Sequence, residues 1–302
     1  MEELYKKVRF KNILYATDFS SASHVALGYA LPLARKYGSR IFVAHVVSPA
    51  LALAVSPAHT PAGVTETDRE IMQSMAQLEP QLKEFPHEFI IRKGDIWKEI
   101  AAIIEEKAIS LVVIGTHGRS GATKVIMGSV AEELFRKSPC PVLSVGPNVC
   151  GEPETLTEMR TILCPIDFRP ESLAAIPYAT SLAEQNQARL YLLYVAGGAV
   201  DELPDASLKA ALRALIPSEA ELWCEPKALI ESGAPADKIV ELAAELGVDV
   251  IVLAVKSAEQ LATKPPHIAL ETAYKVVTKS ICPVLTVRRR PSSVRNSRGE
   301  KS

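Results

Sequence analysis

Gly115 and Gly118, nine further residues, and then Gly128 followed by Ser129 form a spacing that could hold a phosphate chain. Such an anion is bound where several backbone N–H groups converge with no Cβ in the way. Glycine at each end of a loop permits that approach and a positive φ. A helix opening at Gly128–Ser129 would add free N–H donors and the positive end of its dipole around Gly128, Ser129 and Val130, with a hydroxyl from Ser129. The plainer alternative is that the glycines punctuate turns and Ser129 is an N-cap. Thr116, His117, Arg119 and Lys124 lie in the same loop, where positive charge would offset phosphate charge. No glycine there is followed by Lys-Ser or Lys-Thr, so this is not a Walker site.

The elements that must position this loop are legible on either side. Leu111 to Gly115 is a short, β-branched apolar run, as expected of a buried parallel strand, and VAEELFRKS after Ser129 has helical apolar spacing. Ile13 to Ala16 predicts an earlier strand with Thr17, Asp18 and Phe19 leaving its C-terminal end. Open parallel sheets bind ligands at that edge, which places Asp18 beside a site. An N-cap at Ser20 or Ser21 and apolar positions Val25, Leu27, Ala30, Leu31 and Ala34 predict a helix stopping at Gly38. Residues 41–47 return as a second strand. Residues 48–65, with three prolines and a glycine, predict a long loop, either a cover for a ligand or a disordered insertion. A helix over 66–85 should kink or end at Pro80. A third strand spans 87–94, Asp95 caps a helix with Ile96, Ile100, Ile103 and Ile104 on one face, and a helix through Lys137 precedes a strand over 141–145.

After a linker-like stretch, residues 146–159, the chain starts again. TILCPIDF repeats NILYATDF, SICPVLTV repeats SPCPVLSV, and Tyr178, Leu182 and Ala183 repeat Tyr29, Leu33 and Ala34. Two tandem copies of one unit account for the length. The copies differ at the loop. Ala254 falls opposite Gly115 and Ser257 opposite Gly118, while Leu270 and Glu271 fall opposite Gly128 and Ser129, with three extra residues between the two registers. Leu blocks the backbone approach, and Glu at a helix start repels a phosphate. Pro265 and Pro266 rewrite the loop further. Asp167 persists, and alone it is read as a turn or capping residue.

The loop spacing, the strand ending in Asp18, KNILYATDFS, HVV at 45–47 and SPCPVLSV together resemble the nucleotide-binding branch of the universal stress protein family. The resemblance covers nearly all of residues 9–147. It implies an α/β fold of two tandem Rossmann-like domains of the adenine nucleotide alpha hydrolase-like type. Each would be a mainly parallel five-stranded sheet flanked by helices, the two packed as a pseudo-dimer with their last strands close together. Residues 1–147 would be the nucleotide-binding domain, 159–290 a domain with a degenerate loop, and 291–302 a basic disordered tail. Carried onto this chain, the resemblance places the adenine and ribose end at Asp18 and the Val46 backbone. It places the phosphates at Gly115, Gly118, Gly128, Ser129 and Val130, with Thr116, His117 and Arg119 as further loop candidates. The implied ligand is ATP, with or without Mg2+, one per chain, in a regulatory stress-response module.

The bulk properties exclude other classes. With 34 basic and 35 acidic residues the net charge is -1, so no global field draws the chain to nucleic acid or an anionic membrane. Five scattered cysteines without CxxC spacing argue against a disulfide framework or structural zinc, and Cys140 and Cys282, each before a proline, read as small buried groups. The N-terminus lacks an apolar h-region, and no run of about 18 apolar residues occurs. A cytoplasmic protein is expected. The basic tail has no interleaved aromatic residues for base stacking. Hydrolysis needs a positioned water, a base and charge neutralisation. His117 and Asp18 are the candidates for such work, each with an equally good structural role. Six histidines at unrelated spacings suggest no metal cluster. Three classes stay open: a nucleotide-binding regulator with an unknown protein partner, a slow ATP hydrolase using the same site, and a structural adaptor. Whole tandem chains could also pair as a homodimer.

Overall fold

A computed structural model describes residues 7–48, 66–116, 127–196, 204–255 and 271–288. Strand β1 (Asn12–Ala16) and strand β4 (Leu111–Gly115) carry almost nothing but apolar side chains, and these are buried, as strands covered on both faces require. With β2 (Arg40–Val47), β3 (His87–Lys93) and β5 (Val142–Val145) they pair in the order β3-β2-β1-β4-β5, all parallel. The second repeat builds the same arrangement from β6 (Thr161–Pro165), β7 (Arg189–Ala196), β8 (Lys227–Ser232), β9 (Val250–Ala254) and β10 (Val284–Val287). The halves join edge to edge through antiparallel pairing of β5 with β10, Leu143 opposite Leu285, giving one 10-stranded sheet. The expected closeness of the two last strands is therefore direct backbone pairing, which removes two exposed sheet edges.

Helices cover both faces: α1 (Ser21–Tyr37), α2 (Glu66–Leu82), α3 (Ile96–Glu106) and α4 (Ser129–Lys137) in the first repeat, α5 (Ile176–Asn186), α6 (Asp205–Arg213), α7 (Pro235–Glu245) and α8 (Glu271–Lys279) in the second. Alternate strand residues feed opposite faces: Ile13, Tyr15, Ile162 and Cys164 enter one apolar core, Leu14, Ala16 and Leu163 the other. Each core thus runs through both repeats. Each large side chain so buried is worth about 1.5–3 kcal/mol before entropy is charged. Among the described residues no helix is long and apolar enough to cross a membrane.

The predicted stops hold at α1, where the Ser20 hydroxyl accepts from Ser23 N–H and Gly38 ends the helix at φ 60°. Asp95 caps α3 by accepting from Lys98 N–H at 2.9 Å. Other expectations fail for local reasons. Val25 points to solvent, and α1 instead buries Ala26, Leu27, Tyr29, Ala30 and Leu33. Helix α2 continues past Pro80 to Leu82. Pro80 is exposed and has no N–H to give the Ala76 carbonyl, and the helix ends two residues beyond it, close to the expected stop. Cys282 is buried, but Cys140 only half so. The segment 146–159 is not a bare linker: Pro153–Thr157 forms a 3-10 turn with Leu156 buried, and Tyr29 donates a hydrogen bond to the Gly151 carbonyl.

Candidate functional site

In the order β3-β2-β1-β4-β5 the winding reverses between β1 and β4, and the crevice beyond their C-terminal ends is where such sheets take ligands. A cavity of about 400 Å³ opens there, and Asp18, Val46, Gly115, Thr116, Gly128, Ser129 and Val130 all line it. His117, Gly118, Arg119 and Lys124 lie outside the described residues. So do residues 49–65 of the long loop, Ser257, Pro265, Pro266 and Leu270 of the second repeat, and the tail 291–302.

Val46 earns its place through register. Ala44 accepts from Thr17 N–H at 2.9 Å, and Val47 accepts from Gly94 N–H at 3.0 Å, so even-numbered residues of β2 turn their backbone towards β1 and odd ones towards β3. β1 ends at Ala16, opposite Ala44. The Val46 N–H and C=O therefore point past the end of β1 into the crevice, one donor beside one acceptor. His45, which sequence reasoning left as one of six scattered histidines, is buried beneath this edge. Its Nδ1 lies 2.8 Å from the Thr17 carbonyl and its ring 4.7 Å from that of Phe19. Ile96, Ile100 and Ile114 supply an apolar wall. Ile96 and Ile100 were expected on one face of a helix, and nothing in their periodicity separates a core from a pocket wall.

Asp18 is half-buried, and its Oδ1 accepts from Ser20 N–H at 3.0 Å, folding the chain into a tight turn. Phe19 sits in that turn at φ 60°, a conformation few bulky residues adopt. Beneath it lies a buried polar network. The Tyr15 hydroxyl donates to the Ser23 carbonyl at 2.8 Å and lies 3.1 Å from Thr17 Oγ1, which accepts from Phe19 N–H at 2.9 Å and lies 3.0 Å from Ser23 Oγ. Burial pushes the Tyr15 phenol up, so it stays a neutral donor. Tyr15 and Thr17 read in sequence as plain strand residues, and only the fold brings Ser23 to them.

Two sequence readings of the loop are corrected. Gly128, not Ser129, is the N-cap of α4, with φ -62° and no side chain to satisfy the helix start; Ser129 is the first helical residue. Positive φ is thus not what Gly128 provides. Its N–H donates to the Thr116 carbonyl at 2.8 Å, and its own carbonyl accepts from Glu132 N–H at 2.9 Å. The N–H groups of Ser129, Val130 and Ala131 precede that first intrahelical bond and lie at the cavity. Gly115 is needed for packing: a Cβ there would lie 2.6 Å from the Ala22 carbonyl oxygen, because the start of α1 rests on the end of β4.

At the matching edge of the second repeat, Asp167 and Phe168 keep the turn, with φ 59° at Phe168 and Arg169 N–H donating to Asp167 Oδ1 at 3.0 Å. Asp167 is exposed there and also pairs with Arg169, a turn role as expected. Tyr194 replaces His45 against the phenylalanine, at 5.4 Å. Cys164 and Ile166 replace Tyr15 and Thr17, and Ala254 replaces Gly115. The helix that should start there opens as a 3-10 turn over Ser172–Ala175 before α5. Among the described residues no group of three or more His, Cys, Asp or Glu is placed to hold a metal ion.

Comparison with known proteins agrees with this fold. The universal stress protein family profile matches residues 9–146 and again 158–288. A universal stress protein of Methanocaldococcus jannaschii is 26% identical over 155 residues, 46% of this chain and 96% of that protein. A second from the same organism is 31% identical over 153 residues, 48% of this chain and 84% of that protein. A solved universal stress protein from Archaeoglobus fulgidus matches 93% of this chain and 98% of its own at TM-score 0.67 and 22% identity, a likeness of fold. With the profile matched twice along one continuous sheet, the chain belongs to the universal stress protein family.

Proposed function

We propose that residues 1–147 bind one adenine nucleotide, ATP in the first instance, and that residues 159–290 form a second domain without a nucleotide site. The observation that carries this reading is the convergence at one crevice of a free strand edge, a carboxylate and an uncapped helix start. The Val46 N–H and C=O match the acceptor and donor along the edge of an adenine, and Ile96, Ile100 and Ile114 form the apolar bed for its faces. The Asp18 carboxylate suits ribose hydroxyls. The amides of Ser129, Val130 and Ala131, at the positive end of α4, suit phosphate oxygens. A divalent ion, where present, would come with the phosphates.

No general base is positioned among the described residues of this crevice beyond Asp18 and His45, and His45 is engaged with the Thr17 carbonyl. The preferred reading is a binding module, with a slow hydrolase through Asp18 or His117 as the second. In the binding module, occupancy stabilises one arrangement of the crevice and alters the surface offered to a protein partner. The second domain acts as the fixed mate of the first through β5 and β10. The test is calorimetric titration of nucleotide-free protein with ATP, ADP, AMP and cyclic AMP, with and without Mg2+. Saturable binding of an adenine nucleotide is expected, and no binding of any of the four would refute the reading.

A further inference from the structure

The second repeat bonds to the backbone immediately before the helix start that borders the first repeat's crevice. The Met127 backbone N–H donates to the Tyr274 hydroxyl oxygen at 2.7 Å, joining residues 147 apart in the chain. We propose that Tyr274 is a positioning residue for the phosphate-binding turn of the first repeat, an inference that rests on the nucleotide reading above. Met127 is buried and immediately precedes Gly128, whose own N–H is held by the Thr116 carbonyl at 2.8 Å. Two consecutive amides, one anchored to β4 and one to the other repeat, thus set the direction in which the chain enters α4. The amides of Ser129, Val130 and Ala131 inherit that direction, and a helix start binds an anion only when its N–H groups converge on it.

The anchor is itself fixed. The Tyr274 ring packs on the apolar core, and α8 is pinned to the first repeat where Asn148 Nδ2 donates to the Thr278 carbonyl at 3.1 Å. Gly146 admits α8 so closely that a Cβ there would lie 2.5 Å from the Val277 carbonyl oxygen. At the far end of α4, Arg288 donates to the Phe135 carbonyl. Helix α4 is therefore gripped near both ends by the second repeat. Counting back from the shared Cys-Pro pair, Tyr274 corresponds to Glu132, which turns to Arg136 on its own helix at 3.6 Å. A tyrosine at this position makes a repeat with a rewritten loop into the support of its neighbour's site.

Tyr274→Phe keeps the ring and removes the oxygen, leaving the Met127 N–H buried without its partner. In the full chain, calorimetry should show ATP affinity falling about fivefold to tenfold. Adenosine, which does not reach the turn, should bind within about twofold of wild type, because only the phosphate end depends on the turn. Amide hydrogen exchange at Met127 should accelerate. Thr286→Val is the control: it removes the Thr286 hydroxyl bond to the Val142 carbonyl at the same repeat junction and should lower stability while leaving the ratio of ATP to adenosine affinity unchanged. If wild type binds ATP and Tyr274→Phe binds it equally well, or loses ATP and adenosine affinity in equal measure, the positioning role is wrong. If wild type binds neither ligand, the nucleotide reading fails. The exchange measurement then decides alone for Tyr274, unchanged protection at Met127 overturning its role.

Discussion

The edge formed by β1 and β4 and the edge formed by β6 and β9 share a frame and differ in the side chains placed around it. Both end in an Asp-Phe turn with the phenylalanine at φ near 60°, and both place an aromatic or imidazole ring of the second strand against it. In the first repeat Thr17, His45, Gly115 and Ser129 stand at these positions; in the second they are Ile166, Tyr194, Ala254 and Glu271. The strained turn survives in both, so it belongs to the fold. The side chains around it differ between the repeats while the sheet is the same, and on the proposed function it is these side chains that decide whether a ligand is held.

The comparison breaks most sharply when the first repeat is given the second's residues. Gly128→Leu combined with Ser129→Glu should lower ATP affinity by at least about a hundredfold in a calorimetric titration, since a carboxylate facing a phosphate costs several kcal/mol. The circular dichroism spectrum should stay that of the native fold. Gly115→Ala tests packing instead: with a Cβ contact of 2.6 Å to the Ala22 carbonyl, stability by urea unfolding should fall by about 1–3 kcal/mol. The reverse change, Ala254→Gly, should cost under about 1 kcal/mol and create no second site.

Smaller effects sharpen the same contrast. Tyr15→Phe removes the donor to the Ser23 carbonyl and should cost about 1–2 kcal/mol of stability, read by urea unfolding, with a few-fold loss of ATP affinity as the Asp18 turn loosens. Asp18→Asn is expected to weaken adenosine binding by about threefold to tenfold without a comparable loss of stability. Asp167→Asn, on an exposed turn, should change neither binding nor stability measurably. Equal effects of these two substitutions would mean that Asp18 is no more than a turn residue.

Much of the frame was legible before folding. β1 and β4 announce themselves as apolar runs, Ser20, Gly38 and Asp95 as helix ends, and the repeat through TILCPIDF and SICPVLTV. The closeness of the last strands followed from the resemblance, and the structure shows it to be backbone pairing. What stayed hidden depends on contacts between distant segments. Gly115 looked like a phosphate-approach residue, yet its demand comes from Ala22, far away in sequence. Tyr15 and Thr17 carry no signal until Ser23 is brought beside them, and Tyr274 none until two repeats are packed. Val25 fitted the helical period but lies just outside the buried arc, which holds Ala26, Leu27, Ala30 and Leu33. Pro80 marks the end of α2 to within two residues, the helix stopping at Leu82.

The asymmetry between the two edges is tested most directly by counting ligands. Equilibrium dialysis of nucleotide-free protein against labelled ATP at saturating concentration should give one nucleotide bound per chain, abolished by Gly128→Leu with Ser129→Glu. Two per chain would contradict the loss of the second site, and none would contradict the first.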